Sequence, residues 1–141
     1  MNIVERTPPW EYNFLSLQPT ILVEDWSAAK RLMADYLDKT RTQRGTMYSG
    51  WTVCGDKIFC REAFGEAEFL LEHMSSVRPT LDALLQPGTA RLLEMQLHGP
   101  AAELSKVEGA FDGLDAQCFE VVSGFTKLVR QLVVERAVYL A

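Results

Sequence analysis

Histidine and cysteine are scarce in this chain, with two of the first and three of the second among 141 residues. His73 and His98 have no partner side chains at metal-ligand spacing, so no metal centre is expected. Cys54, Cys60 and Cys118 form an odd set. Such a set suits reduced thiols packed as small apolar groups better than a disulfide framework. Basic residues are also in short supply: 14 Lys and Arg stand against 19 Asp and Glu, a net charge of −5. Lys30, Arg31, Lys39, Arg41 and Arg44 are spread along one helical stretch and its exit, not clustered. Neither nucleic acid nor a membrane surface is therefore an expected partner. No apolar run reaches the length of a membrane span. The N-terminus, with Glu5, Arg6 and Pro8-Pro9, lacks the basic start and apolar core of a signal peptide. Gly45, Gly50, Gly55 and Gly65 make no phosphate-binding pattern, and no serine stands in a nucleophile-elbow context. These absences predict a cytoplasmic protein without metal or cofactor.

What is present is the make-up of one globular domain. Hydrophobic residues reach 48% and charged residues 23%, and the length suits one core rather than two. Residues 1–12 read as an arm, 13–125 as the domain and 126–141 as an extension. Asn13 to Glu24 alternates like a strand, and Pro19 inside it predicts an edge, a bulge or a start near Thr20. Asp25 is a good N-cap for a helix packing Trp26, Ala29, Leu32, Met33, Tyr36 and Leu37. Glu66 to Val77 predicts a second helix, broken at Arg78 by Pro79 and followed by a short helix to Pro87-Gly88. Thr89 to His98 is a strand, Ala101 to Asp112 a helix opened by Gly99-Pro100, and Ala116 to Phe125 a last strand. Residues 126–141 suit either a helix or a strand.

Thr46–Cys54 and Lys57–Phe64 form a hairpin about Gly55-Asp56. Counting outward from the turn sets Cys54 opposite Lys57, Trp51 opposite Cys60, Ser49 opposite Glu62 and Met47 opposite Phe64. One face then carries Met47, Ser49, Trp51, Val53, Ile58, Cys60, Glu62 and Phe64. Tyr48 and Phe59 fall on the other, so Tyr48 is not expected to share a pocket with Trp51. Cys54 and Cys60 point to opposite faces and are not expected to bond. The element order predicts an α+β class, a ferredoxin-like βαββαβ domain with an extra C-terminal helix and strand. Since neither sheet face is uniformly polar, a homodimer, the dimeric α/β barrel, is expected to cover the second.

The run Cys60-Arg61-Glu62-Ala63-Phe64-Gly65-Glu66-Ala67, followed by Glu72-His73-Met74, resembles the strand-to-helix passage of antibiotic-biosynthesis-monooxygenase-like (ABM) domains. There a strand ends in a glutamate and an aromatic, and the next helix carries a histidine about two turns in. The resemblance extends over Phe14 to Phe125 in element order. It implies a dimeric α/β barrel. It also implies cofactor-independent monooxygenation of phenolic or quinol-like substrates, polyketide cyclisation, haem degradation, or no known activity.

His73 borders the apolar stripe of the second helix, where an imidazole acts as a general base or simply bonds a backbone carbonyl. Glu62 lies among apolar neighbours. It therefore has a raised pKa and an acid–base role, or a structural partner in Arg78, Arg91 or Ser49. Trp51 is a pocket wall or core. Met74 and His98 complete the ligand-contact candidates, His98 alternatively capping a turn or packing at a dimer interface. The functional expectation is a small homodimer that binds a small apolar or aromatic molecule; if it catalyses, cofactor-independent oxygenation is the chemistry expected, with His73 as base and Glu62 as orienter or second acid/base. The alternatives are a polyketide-cyclase-like enzyme and a non-catalytic dimerisation or ligand-binding module.

Overall fold

The computed structural model describes residues 14–125 and 137–140. The arm expected at 1–12 and most of the extension at 126–141 lie outside the described residues. The elements are β1 (Leu15–Val23), α1 (Trp26–Arg41), β2 (Thr46–Cys54), β3 (Lys57–Phe64) and α2 (Ala67–Leu84). They continue with β4 (Ala90–Gly99), α3 (Ala101–Val107) with a tight helical turn at Glu108–Phe111, and β5 (Gln117–Glu120). The sheet order is β2-β3-β1-β4-β5. Its first four strands pair antiparallel, and β5 adds parallel to β4. This is the ferredoxin-like arrangement with one added strand, an α+β fold as expected.

β1 sits at the centre of the sheet despite Pro19. A proline cannot donate to a ladder. The β1–β3 pairs accordingly run over Leu15–Leu17 and Thr20–Leu22, with the proline between them, and a bulge at Thr20/Ile21 interrupts the β1–β4 ladder. Alternate residues of β1 face the helices: Leu15, Leu17, Ile21 and Val23 are buried there.

α1 begins at Asp25, whose carboxylate accepts the Ala28 amide at 3.1 Å. α2 corrects the break expected at Arg78, because it runs unbroken through Pro79. Pro79 faces outward while Thr80, Leu81 and Leu84 are buried. The Thr80 hydroxyl donates to Asp35 at 2.6 Å and accepts from Lys39 at 2.7 Å, tying the second half of α2 to α1. Tertiary packing here outweighs the local penalty of proline. No side chain of its own caps α2. Glu103 on α3 accepts the Ala67 amide at 2.9 Å instead.

α1, α2 and α3 lie on one side of the sheet. Leu104, Val107 and Phe111 join Leu70, Val77 and Leu97 in a single core. The opposite face carries Ser16, Thr20, Leu22, Phe59 and Arg61, with His98 stacked on Phe119 at 4.6 Å. None of the described helices covers it. At the other edge, a side chain on Gly45 would meet the Phe69 ring at 1.8 Å, so only glycine lets α2 approach the entry to β2 this closely. The thiols are unpaired, as expected. Cys60 is buried, but Cys54 and Cys118 are exposed, against expectation, because the hairpin tip and the edge strand β5 leave both in solvent.

Candidate functional site

The buried stripe of α1 includes Ala29, Met33, Tyr36 and Thr40. A tyrosine in such a stripe needs a partner for its hydroxyl. Tyr36 reaches across to β3 and donates to Glu62 Oε1 at 2.5 Å. Its oxygen also lies 2.9 Å from His73 Nε2 on α2. His73 Nε2 is 3.4 Å from Glu62 Oε1, and both side chains are fully buried. The hairpin register sets Ser49 opposite Glu62, and the Ser49 hydroxyl donates to Glu62 Oε2 at 3.0 Å. His73 Nδ1 lies 2.8 Å from Gln43 Oε1. Both oxygens of a buried carboxylate and both nitrogens of a buried imidazole are thus engaged, as a dry environment demands.

Aromatic rings enclose the group. Phe64 packs on His73 at 4.7 Å between centroids, and Trp51 meets Tyr36 edge-on at 5.0 Å. Burial, reinforced by the Glu62 charge, pushes the Tyr36 hydroxyl and the neighbouring Cys60 thiol well above their ordinary values. Tyr36 therefore keeps its proton and serves as a donor to the carboxylate.

A cavity of about 800 Å³ opens beside this network, between α1, β2 and residues 137–140. Its apolar lining includes Met33, Leu37, Met47, Trp51 and Val53. Its polar lining includes Gln43, Thr46 and Ser49. Glu62 and His73 do not line it; Ser49 and Gln43 stand between them and the cavity. Three polar atoms of residues that line it, Gln43 Nε2, Thr46 Oγ1 and Trp51 Nε1, are buried behind that lining and have no hydrogen-bond partner. Tyr48 and Trp51 both border the cavity, contrary to expectation. The register counted from the turn holds from Cys54↔Lys57 back to Tyr48↔Ala63. It then slips at a bulge, so that Thr46 rather than Met47 faces Phe64. A bulge bends and twists its strand, which here is the sheet edge that the cavity follows.

The structure thus brings together Glu62, His73 and Trp51. Met74 does not line the cavity; it is buried in the core cluster that also holds Tyr36, Phe64, Leu70 and Val77. His98 lies on β4, bonded to Gln96 at 2.9 Å and stacked on Phe119 of the neighbouring β5. Sequence reasoning missed Tyr36 and Gln43 as site residues. For Tyr36 the signal was a phenol on an apolar stripe. For Gln43 there was none. Ser49 was foreseen only as a structural partner of Glu62.

Ser49 lies between the cavity and a carboxylate whose other oxygen is held by the Tyr36 hydroxyl. A hydroxyl so placed has the geometry of a proton relay. Among the described residues, no three His, Cys, Asp or Glu side chains are grouped to hold a metal ion. No described helix is long and apolar enough to cross a membrane.

Fold and site together describe a ferredoxin-like α+β domain with a buried Tyr-Glu-His group beside a cavity. Among solved structures, MupZ from Pseudomonas fluorescens is similar to it at 24% identity and a TM-score of 0.77, over 89% of this chain and 96% of that one. A protein assigned as an antibiotic biosynthesis monooxygenase, from Chloroflexus aurantiacus J-10-fl, matches at 18% identity and a TM-score of 0.48, over 63% of this chain and 94% of that one. The structural-genomics protein YJCS matches at 12% identity and a TM-score of 0.48, over 60% of this chain and 96% of that one. The similarity to MupZ is one of fold. No protein-family model and no curated protein matches the sequence.

Proposed function

We propose that the chain is a small acid–base enzyme. A mainly apolar molecule occupies the cavity between α1 and β2, and Glu62 takes or returns a proton through Ser49. The observation that carries this reading is the Ser49–Glu62 hydrogen bond of 3.0 Å, one end of it on the cavity wall and the other on a fully buried carboxylate. His73 acts on the carboxylate through Tyr36 and is a positioning residue. Trp51 walls the cavity. Proton abstraction of this kind serves a cyclisation directly. It is also the opening step of cofactor-independent oxygenation, in which a deprotonated quinol reacts with oxygen.

Two assays test the reading. Deuterium exchange into cyclic 1,3-diketones, followed by NMR, reports proton abstraction alone. Aerobic oxygen uptake with a quinol panel reports oxygenation. Glu62→Gln is expected to lower the rate ~10²-fold or more in whichever assay the protein accelerates, and Ser49→Ala to lower it less, as water can replace the hydroxyl. Acceleration that survives Glu62→Gln unchanged would remove Glu62 from the mechanism. Exchange without oxygen uptake would assign the cyclase class. No acceleration in either assay would favour a non-catalytic ligand-binding module.

The sheet face that no described helix covers supports a homodimer, since Leu22 and Phe59 are half-buried there and Phe119 is 40% exposed. Sedimentation equilibrium at micromolar concentration is expected to give twice the chain mass. Phe59→Glu is expected to shift that mass toward one chain; a monomeric wild type would rule out the barrel dimer.

A further inference from the structure

The cavity wall has a charge bias that the acid–base reading leaves unused. The chain carries a net −5, yet the described residues lining the cavity include Lys30 and Arg41 and no aspartate or glutamate. Both cations lie on α1 in one stripe with Ala34 and Leu37. They stand eleven positions apart on the helix, ~16 Å along the axis. The turn at residues 42–45 then reverses the chain. Thr46 therefore begins at the Arg41 end, and Val53 lies toward the Lys30 end.

The two cations differ in what they already hold. Arg41 donates to the Tyr139 hydroxyl at 2.8 Å, and Tyr139 donates in turn to Asp38. That chain of bonds fixes residues 137–140 as one wall of the cavity. Lys30 is half-buried and makes no hydrogen bond or ion pair with a described residue. An ammonium partly withdrawn from water beside Met33 and Val53 gains by meeting an anion there.

We infer, resting on the acid–base reading of this cavity, that the substrate is an amphipathic organic acid. Its carboxylate pairs with Lys30, its apolar body lies along Met33, Leu37 and Val53, and its reacting end lies beside Ser49. Lys30 is then the residue that selects acids over neutral molecules of the same shape.

Octanoate and octanamide are the probes, alike in shape and different in charge. Calorimetric titration of the full chain is expected to show octanoate binding about tenfold more tightly than octanamide. In Lys30→Gln the preference is expected to vanish while octanamide binding is unchanged. Lys30→Met, which keeps the apolar stem, is expected to behave likewise. Glu62→Gln is expected to leave the preference intact, so loss of proton transfer in that variant and loss of acid selection in the lysine variants are read separately. Equal affinities in the wild type, no binding of octanoate at millimolar concentration, or a preference that survives both lysine variants would each overturn the inference.

Discussion

Substituting leucine for His73 is expected to lower the unfolding free energy by ~3–5 kcal/mol. The side chain is wholly buried against Phe64, and leucine fills much of the same space. Packing loss is therefore the smaller share. The larger share is what the imidazole leaves behind. Tyr36 loses the group at 2.9 Å, Glu62 loses its neighbour at 3.4 Å, and Gln43 loses its partner at 2.8 Å. A buried carboxylate stripped of one member of its network cannot turn to water for compensation. Urea denaturation checks this, the midpoint falling while the slope stays constant. Glu62→Gln in the His73→Leu background is expected to recover part of the loss, because a neutral amide is less costly to strand. A loss of less than ~1 kcal/mol in the single variant would mean that the three groups do not depend on one another.

That network explains which parts of the site were legible in the sequence. The hairpin was readable because a two-residue turn fixes its register locally. Counting from Gly55-Asp56 placed Glu62 opposite Ser49 and on the same face as Trp51, and the structure has both. Counting failed at Met47, where a bulge intervenes. Nothing in the residue types there announced it. Tyr36 was readable as a buried helix position but not as a hydrogen-bonding hub, since its partners lie 26 and 37 residues away in sequence. Such pairings are set by how α1 and α2 lie across the sheet. Pro79 shows the opposite failure. A sound local rule predicted a break, and the buried Thr80, Leu81 and Leu84 overrode it. The cavity was the least legible feature, because α1, β2 and residues 137–140 form it together.

Stability is also expected to fall steeply as the pH rises above about 9. Two groups in the site carry the effect. Burial first, and the charge of Glu62 second, push the Cys60 thiol well above its ordinary 9.0 and the Tyr36 hydroxyl well above its ordinary 10.0. Both are neutral when protonated, so the folded protein keeps protons that the unfolded chain releases. Each contribution is fully present below the unfolded value and is lost as the pH climbs from there toward the folded value. Above its unfolded value, each group removes ~1 kcal/mol of stability per pH unit. Urea titrations between about pH 8 and 11 are expected to show one such slope above 9, doubling above 10. Cys60→Ala is expected to flatten the first limb and Tyr36→Phe the second. A profile unchanged by Cys60→Ala would show that the thiol titrates alike folded and unfolded. The raised Tyr36 value also bears on the role of the phenol. A phenol that stays protonated in the folded state cannot be the base, so it remains a donor to Glu62 Oε1. In the acid–base mechanism proposed above, the proton route from a bound molecule is therefore assigned to Ser49 and Glu62 Oε2, the oxygen that the Ser49 hydroxyl contacts.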